Sequence, residues 1–539
     1  MDYDLKMGTS WIAQSETIEQ RKLELKSWEK EEGAVTLKGA YLCAKVADVY
    51  LGQKNYGNAK DWYQKALNIH RKLGNKSPEM AECLLGVSQT MLARGSRVDA
   101  RKWCAKALEN AESLGASKEV ISRICDCMGD VYIDLEYGSM ALKWYQRAAM
   151  SLDVSHPHAG DARAKVAEIY SSEGKDMFAL EWLLKAAESY EVTGANNSQE
   201  NFKTVAGIFE KNGYVAGALQ WRMTAHASLE KHPQDSKTWL ANLRLLIASN
   251  CATLELFDEA LNWHSQALEL IGDSSPLIPE AHACLACIYK SLGKNATAYD
   301  WYKKSLGNFE SFSGPDGRRS IPIMLSASDA CRLSGDYAKA LDMGRKALDT
   351  CMAEYGANHP CTAASTGMLG KVWKDMSEPD VALKSFQSAL SSLSKLKSSD
   401  PIVYAELCNS LGDVFLDKSM PREAMAQYDR AITTVADCAL TTGITPPVAA
   451  RSCLLKARVL ASDSRALEAL EILKKAVNIC EKSDVSHTSL AAEIYELMDT
   501  VSKETEDEND YASTASAIRA ELDEKRQAAI QQTASIPLK

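Results

Sequence analysis

Apolar residues recur along this chain with a helical period, and one pattern of small residues repeats eleven times. Each copy can be anchored on an alanine inside an apolar-periodic segment: Ala59, Ala100, Ala141, Ala179, Ala218, Ala260, Ala298, Ala340, Ala382, Ala424 and Ala469. Successive anchors are 38 to 45 residues apart. A repeat of this length has room for two helices, so the pattern predicts a stack of helical hairpins.

Two further columns of small residues accompany the anchors. Seven residues after each anchor and twelve residues before it, the chain carries only glycine, alanine or serine, as at Ala66 and Ala47. Two helices approach closely only where their facing positions carry almost no side chain. We therefore expect each repeat to form a tightly packed pair of helices joined by a short turn, with Gly95, Gly213 and Gly293 in such turns.

The repeats resemble the tetratricopeptide repeat (TPR) family. Two copies carry the resemblance most clearly: residues 128–132 (MGDVY) with Ala141, Tyr145 and Ala148, and residues 411–415 (LGDVF) with Ala424, Tyr428 and Ala431. The resemblance covers roughly residues 35–480. It implies an all-α fold, a right-handed α-solenoid of about eleven hairpins with a C-terminal capping helix. The period of about 41 residues and the segment 355–360 (YGANHP) are similar to kinesin light chain and nephrocystin-type arrays.

The chain is expected to contain two sub-arrays. A tryptophan stands three residues after each of the first seven anchors, but not after the last four: Trp62, Trp103, Trp144, Trp182, Trp221, Trp263 and Trp301. This change coincides with the turn-rich segment 311–319, a candidate hinge. We predict an N-terminal helix or cap over 1–33, sub-arrays over 34–312 and 318–482, a C-terminal helical cap over 486–532 and a tail over 533–539.

The tryptophan column has two interpretations, a ladder that contacts a ligand or part of the core. These residues share a helical stripe with the anchors, so core packing is favoured. The close cysteine pair Cys284 and Cys287 is likewise expected to be buried packing, because no second pair stands at zinc-binding spacing.

Composition and motifs exclude several classes of function. The net charge is -10 and the chain has no basic tract, so we expect no nucleic-acid partner. No run of 18 apolar residues predicts a membrane span, and Met1 to Ser10 do not form a secretory signal. The 15 cysteines are scattered singly, which is typical of a reducing compartment and predicts a cytoplasmic location. No phosphate-binding loop or catalytic arrangement is present, so neither a cofactor nor an enzymatic activity is predicted.

The resemblance places the first helix of each hairpin on a concave face. Residues 18, 15 and 11 positions before the anchors are then exposed there, and acidic residues predominate among them. The candidate partner-binding residues are Asp48, Glu82, Asp126, Asp130, Asp161, Glu168, Glu200, Glu280 and Asp329. The arrangement of lysine and asparagine that clamps a chaperone tail is missing from these positions. A basic or amphipathic segment is the predicted ligand, although these carboxylates could equally be solvated surface charges.

Two functions remain open at this level. The first is a non-enzymatic adaptor or scaffold that binds a protein or peptide segment in the concave groove. The second is an architectural subunit of a larger assembly, which would use the edges of the solenoid or its convex face.

Overall fold

The structure of the protein is a computed structural model. It describes residues 23, 26–27, 35–74, 78–172, 176–193, 198–211, 213–231, 237–271, 275–313, 317–394, 400–442, 446–505 and 509–533. Most of the predicted N-terminal cap lies outside these residues. The regular structure of the described part consists of these helices: α1 Leu37–Gly52, α2 Tyr56–Lys72, α3 Pro78–Ala93, α4 Arg97–Ser113, α5 Lys118–Asp134, α6 Gly138–Ser151, α7 Ala159–Ser172, α8 Asp176–Thr193, α9 Ser198–Lys211, α10 Val215–Lys231, α11 Lys237–Thr253, α12 Phe257–Leu268, α13 Ile278–Ser291, α14 Asn295–Ser313, α15 Gly317–Leu333, α16 Tyr337–Tyr355, α17 Pro360–Asp375, α18 Pro379–Ser394, α19 Pro401–Asp417, α20 Pro421–Thr442, α21 Pro447–Ser462, α22 Ala466–Lys482, α23 Ser489–Thr505 and α24 Tyr511–Thr533.

Each odd-numbered helix, termed the A helix, pairs with the even-numbered B helix that follows it. In the fifth pair, α9 and α10, the contact includes stacking of Phe202 on Trp221. Hairpins 1 to 11 coincide with the eleven predicted repeats. Helices α23 and α24 form hairpin 12, at the predicted position of the C-terminal cap. The prediction of an all-α solenoid of helical hairpins is confirmed.

The small residues lie where the A and B helices meet. A Cβ atom on Gly129 in α5 would stand 2.6 Å from the ring of Tyr145 in α6, and one on Gly412 would stand 2.5 Å from Tyr428. Serines in the same column use their small hydroxyl group: Ser88 donates to the carbonyl of the anchor Ala100 over 2.8 Å. At these positions the residue is small because an aromatic ring or a backbone carbonyl of the B helix occupies the space in front of it.

The turn between the A and B helices has one repeated conformation. The residue five positions before the anchor is left-handed, with φ between 58° and 83°, at Lys54, Gly95, Glu136, Gly213, Glu255, Gly293, Gly335, Ser377, Ser419 and Ser464. Glycine adopts this conformation freely, whereas other residues lose roughly 1–2 kcal/mol there. The sequence pattern identified only the turns that contain glycine.

The chain divides into two compact units, residues 1–201 and 202–539. Unit 1 contains α1–α8, and unit 2 begins inside α9. Within unit 2 a hydrophobic cluster joins Tyr289 and Trp301 of hairpin 7 to Ala327 and Ala330 of hairpin 8, across the segment 311–319. The sub-array boundary near residue 312 therefore remains a prediction.

Candidate partner-binding face

The A helices of each unit form one continuous face, which we call the A side. Consecutive A helices contact one another, as α1 contacts α3 and α3 contacts α5 in unit 1. Seven of the nine candidate residues lie in unit 1, whereas Glu280 and Asp329 lie in unit 2. The structure therefore divides the candidate set between two units.

Three of the acidic candidates accept hydrogen bonds from buried tyrosines of B helices. Tyr63 donates to Asp48 over 2.6 Å, Tyr145 donates to Asp130 over 2.6 Å, and Tyr190 donates to Asp161 over 2.7 Å. Burial, followed by the charge of the facing aspartate, raises the pKa of each phenol above its usual range. These aspartates therefore have a structural role inside their hairpins.

The sequence contained a signal for two of these bonds. In hairpins 1, 3 and 10, the sequence has both an aspartate eleven residues before the anchor and a tyrosine four residues after it. In hairpin 10 these residues are Asp413 and Tyr428, and Tyr428 donates a hydrogen bond to Asp413 over 2.8 Å. Asp161 stands in a different column, so its bond to Tyr190 could not be recognised in the same way. Sequence reasoning treated both columns only as exposed surface.

Asp126 and Asp130 share one lysine from the next hairpin. The Nζ atom of Lys165 in α7 lies 3.4 Å from Asp126 and 3.8 Å from Asp130. The Oδ1 atom of Asp126 is buried and has no hydrogen-bond partner among the described residues. Burial raises the pKa of Asp126 to about 6, and the attraction of Lys165 offsets only part of that effect.

This shift predicts a pH-dependent stability of unit 1. The folded carboxyl binds its proton more tightly than the unfolded one, whose pKa is 3.8, so stability falls as the pH rises from about 4 to about 6. Asp126→Asn removes the ionisation, and we expect it to abolish roughly 2 kcal/mol of this decline. Urea unfolding between pH 4.5 and 7.5 measures the effect.

The matched control is Asp153→Asn, since the Asp153 side chain is 78% exposed. That variant should keep the pH dependence of the wild type. An unchanged pH profile in Asp126→Asn would contradict the assignment.

Two candidates present carboxylates directly to solvent. Glu82 in α3 and Glu168 in α7 are exposed, and neither forms an ion pair within the described part of the chain. The side chain of Glu200 lies outside the described residues. Glu82 and Glu168 are therefore the candidates of unit 1 that the structure shows exposed and without an internal ion pair in its described part.

The two candidates in unit 2 differ from each other. Glu280 is half-buried in the first turn of α13, and burial raises the pKa of its carboxyl. Asp329 lies between Lys290, at 3.1 Å, and Arg332, at 2.9 Å. Burial alone would raise the pKa of Asp329, but these two cations outweigh it and lower that pKa. Asp329 therefore belongs to an internal ion-pair chain, which Arg332 extends to Asp375.

The predicted core role of the tryptophan column is confirmed. Trp182 and Trp301 are only 7% and 4% exposed, and Trp62, Trp103 and Trp144 pack against the core of unit 1. A cation three residues further along the helix covers the ring in five cases, 4.5–5.6 Å from its centroid: Trp62–Lys65, Trp103–Lys106, Trp144–Arg147, Trp182–Lys185 and Trp301–Lys304. The rings are thus enclosed between the core and a cation.

The B helices of unit 1 border an open groove of about 760 Å³. It lies between α4 and α6 over α5, and an ion pair between Arg147 and Glu112 joins the two B helices. Its lining consists of Arg101, Lys102, Ala105, Leu108, Glu109, Glu112, Ser113, Met128, Tyr132 and Trp144. The B helices form the face that we call the B side, and its groove in unit 1 contains charges of both signs.

The cysteines of the described part are unpaired. The cysteines whose side chains the structure describes are buried, except Cys287 and Cys361, which are half-buried. Burial raises the pKa of Cys284 and Cys287, so the thiolate form of each is disfavoured. Within the described residues no three His, Cys, Asp or Glu side chains gather as a metal ion would require. No described helix has the length and apolarity needed to cross a bilayer.

Comparison with known proteins identifies the repeats. The family model of the tetratricopeptide repeat matches residues 40–115, 277–353 and 323–395. No curated protein sequence matches the chain significantly. Among solved structures, BtubC (BKLC) from P. vanneervenii is 15% identical, over 52% of this chain and 92% of that chain, with a TM-score of 0.27, which is too low to support an argument. The family matches, the recurring small-residue columns and the hairpin pairs agree: the chain contains tetratricopeptide repeats.

Proposed function

We propose that the chain is a non-enzymatic adaptor that binds a basic segment of a partner protein along the A side of unit 1. Tetratricopeptide repeats generally mediate protein–protein interaction and scaffolding. The observation that carries the finer proposal is the exposure of Glu82 and Glu168, whose carboxylates have no internal cation in the described structure. The unpaired cysteines support a cytoplasmic location as part of the same proposal.

The internal bonds of the other candidates support the choice of these two. Asp48, Asp130 and Asp161 hold tyrosine hydroxyl groups, so replacing them would disturb the hairpins themselves. Glu82 and Glu168 can be reversed in charge without breaking a described contact. A long-range electrostatic attraction from such exposed carboxylates would favour a positively charged segment and weaken with added salt.

A binding experiment with designed peptides tests the proposal. The full chain is titrated into a fluorescein-labelled 16-residue peptide of alternating lysine and leucine, and anisotropy is followed at low and high salt. We expect the double variant Glu82→Lys, Glu168→Lys to weaken binding by about tenfold or more at low salt. A peptide with glutamate in place of lysine should not bind.

A matched pair on the opposite side provides the control. Glu109 in α4 and Glu188 in α8 are exposed on B helices, so Glu109→Lys, Glu188→Lys makes the same change of charge there. This variant should bind the basic peptide as the wild type does. Equal weakening in both variants, or no binding by the wild type, would overturn the proposal.

The alternative, an architectural subunit, is supported by the open groove on the B side of unit 1. Glu109 lines that groove, so a loss of binding confined to the B-side variant would favour the alternative.

A further inference from the structure

The last hairpins of unit 2 contact turns that occur much earlier in the sequence of the same unit. A Cβ atom on Gly213, in the turn of hairpin 5, would lie 3.5 Å from both Ile402 and Pro446, at the beginnings of α19 and α21. Leu254, in the turn of hairpin 6, packs against the hydrophobic cluster of hairpins 11 and 12. Helix α12 contacts α24. The array of unit 2 is therefore closed on itself.

Glu255 stands at the centre of this contact. Its Oε2 atom accepts the backbone N–H of Ser489 over 2.8 Å, and its Oε1 atom accepts the Ser489 hydroxyl over 2.6 Å. Ser489 is the first residue of α23, where backbone N–H groups have no partner within the helix. A carboxylate at a helix N-terminus is also favoured by the helix dipole. Glu255 thus caps a helix that is remote in sequence.

The backbone of Glu255 has the same left-handed conformation as the other turns of the array. Its φ is 61°, in the left-handed region, whereas hairpins 5 and 7 have Gly213 and Gly293 at the same turn position. Glycine would remove the strain but also the carboxylate. Glu136 has the same position in hairpin 3, with φ 64°, yet its side chain is exposed and forms no ion pair in the part described. Glu136 is therefore a natural control.

Helix α24 contributes a second group of contacts. The Tyr289 hydroxyl donates to the Thr533 carbonyl over 3.3 Å, and Lys294 donates to the Thr533 hydroxyl over 3.2 Å. The Arg526 guanidinium lies 5.9 Å from the ring centroid of Phe257. These contacts are polar or cation–π, whereas α24 packs on α23 through an apolar cluster that contains Ile518 and Leu522. Hairpin 12 is thus held together by apolar contacts, while its helices meet hairpins 6 and 7 through these polar and cation–π contacts and through the packing of Leu254.

We propose that these contacts form a latch that closes unit 2, and that the latch can open while the hairpins stay folded. Its elements are the Glu255–Ser489 cap and the contacts of Thr533 and Arg526. Opening separates the turns of hairpins 5 to 7 from hairpins 10 to 12 and widens access to the A side of unit 2. In the closed state the carboxylate of Glu255 binds the N-terminus of α23. In the open state the same carboxylate is available to the N-terminus of another helix.

Hydrogen exchange of the full chain, followed by mass spectrometry, tests the latch. Glu255→Ala removes the acceptor. Ser489→Pro removes both donors, and proline is tolerated in the first turn of a helix, so α23 itself should persist. In both variants we expect exchange of residues 511–533 and of the turn at 254–257 to accelerate at least tenfold, with α13–α18 unchanged.

Glu136→Ala is the matched control and should leave exchange throughout unit 2 as in the wild type. Unchanged exchange of α24 in both latch variants would overturn the proposal, because the cap would then not hold the contact. Equal acceleration throughout α19–α22 would also overturn it, since the closure would then be inseparable from the fold.

Discussion

Gly129→Ala is expected to destabilise hairpin 3 by about 3 kcal/mol or more, a large effect for one methyl group. Its Cβ atom would stand 2.6, 2.7 and 2.8 Å from three carbon atoms of the Tyr145 ring. The ring cannot retreat easily, because its hydroxyl group is bonded to Asp130. Urea unfolding of the full chain gives the loss, and hydrogen exchange of α5 and α6 assigns it to this hairpin.

A second glycine in an A helix provides a control, because its replacement by alanine should raise the stability and not lower it. Gly207 in α9 is exposed, and among the described residues no neighbouring atom lies within 4 Å of the position that a Cβ atom would take there. Gly207→Ala should therefore stabilise its helix by up to ~1 kcal/mol through helix propensity alone. In the double variant Gly129→Ala, Tyr145→Leu, removal of the ring should recover part of the loss. A cost below about 1 kcal/mol for Gly129→Ala would contradict the close packing of the ring.

The hairpins could be predicted from sequence because their cause is local. Small residues stand at constant separations, as Gly129, Ala141 and Ala148 do in hairpin 3, and those separations recur from hairpin to hairpin. The recurrence identifies the helices, their pairing and their order. The left-handed turns at Glu136 and Ser377 were not predictable, since no glycine identifies them and the strain becomes visible only in the backbone.

The candidate face could be predicted only in part. The columns identified which acidic residues lie on A helices, but not which of them have partners. Asp126 meets Lys165, 39 residues away in the next hairpin, and that pairing depends on how neighbouring hairpins stack. The contact of Glu255 with Ser489 spans 234 residues. It depends on the small rotation between successive hairpins, summed over several of them, and no short sequence motif reports that sum.

The second large effect concerns a buried charge in hairpin 5. Arg222 stands four residues after its anchor, where hairpins 1, 3, 7 and 10 have tyrosine, and it is 5% exposed. Its guanidinium donates two hydrogen bonds to Glu210, over 3.2 and 2.7 Å. Glu210→Ala would leave this cation buried without its carboxylate, so we expect a loss of about 3 kcal/mol or more in the free energy of unfolding.

Removal of the other partner should cost much less. The Glu210 side chain is 46% exposed, so water can solvate its carboxylate when Arg222 is replaced. Arg222→Met keeps an unbranched apolar chain beside Phe202 and Trp239, and we expect it to cost about 1 kcal/mol. The double variant should be close to Arg222→Met alone, because the cation that suffers from the loss of Glu210 is then absent. Urea unfolding of the two single variants and the double variant completes this double-mutant cycle. If both single variants lose the same free energy of unfolding, the guanidinium is solvated in the folded state.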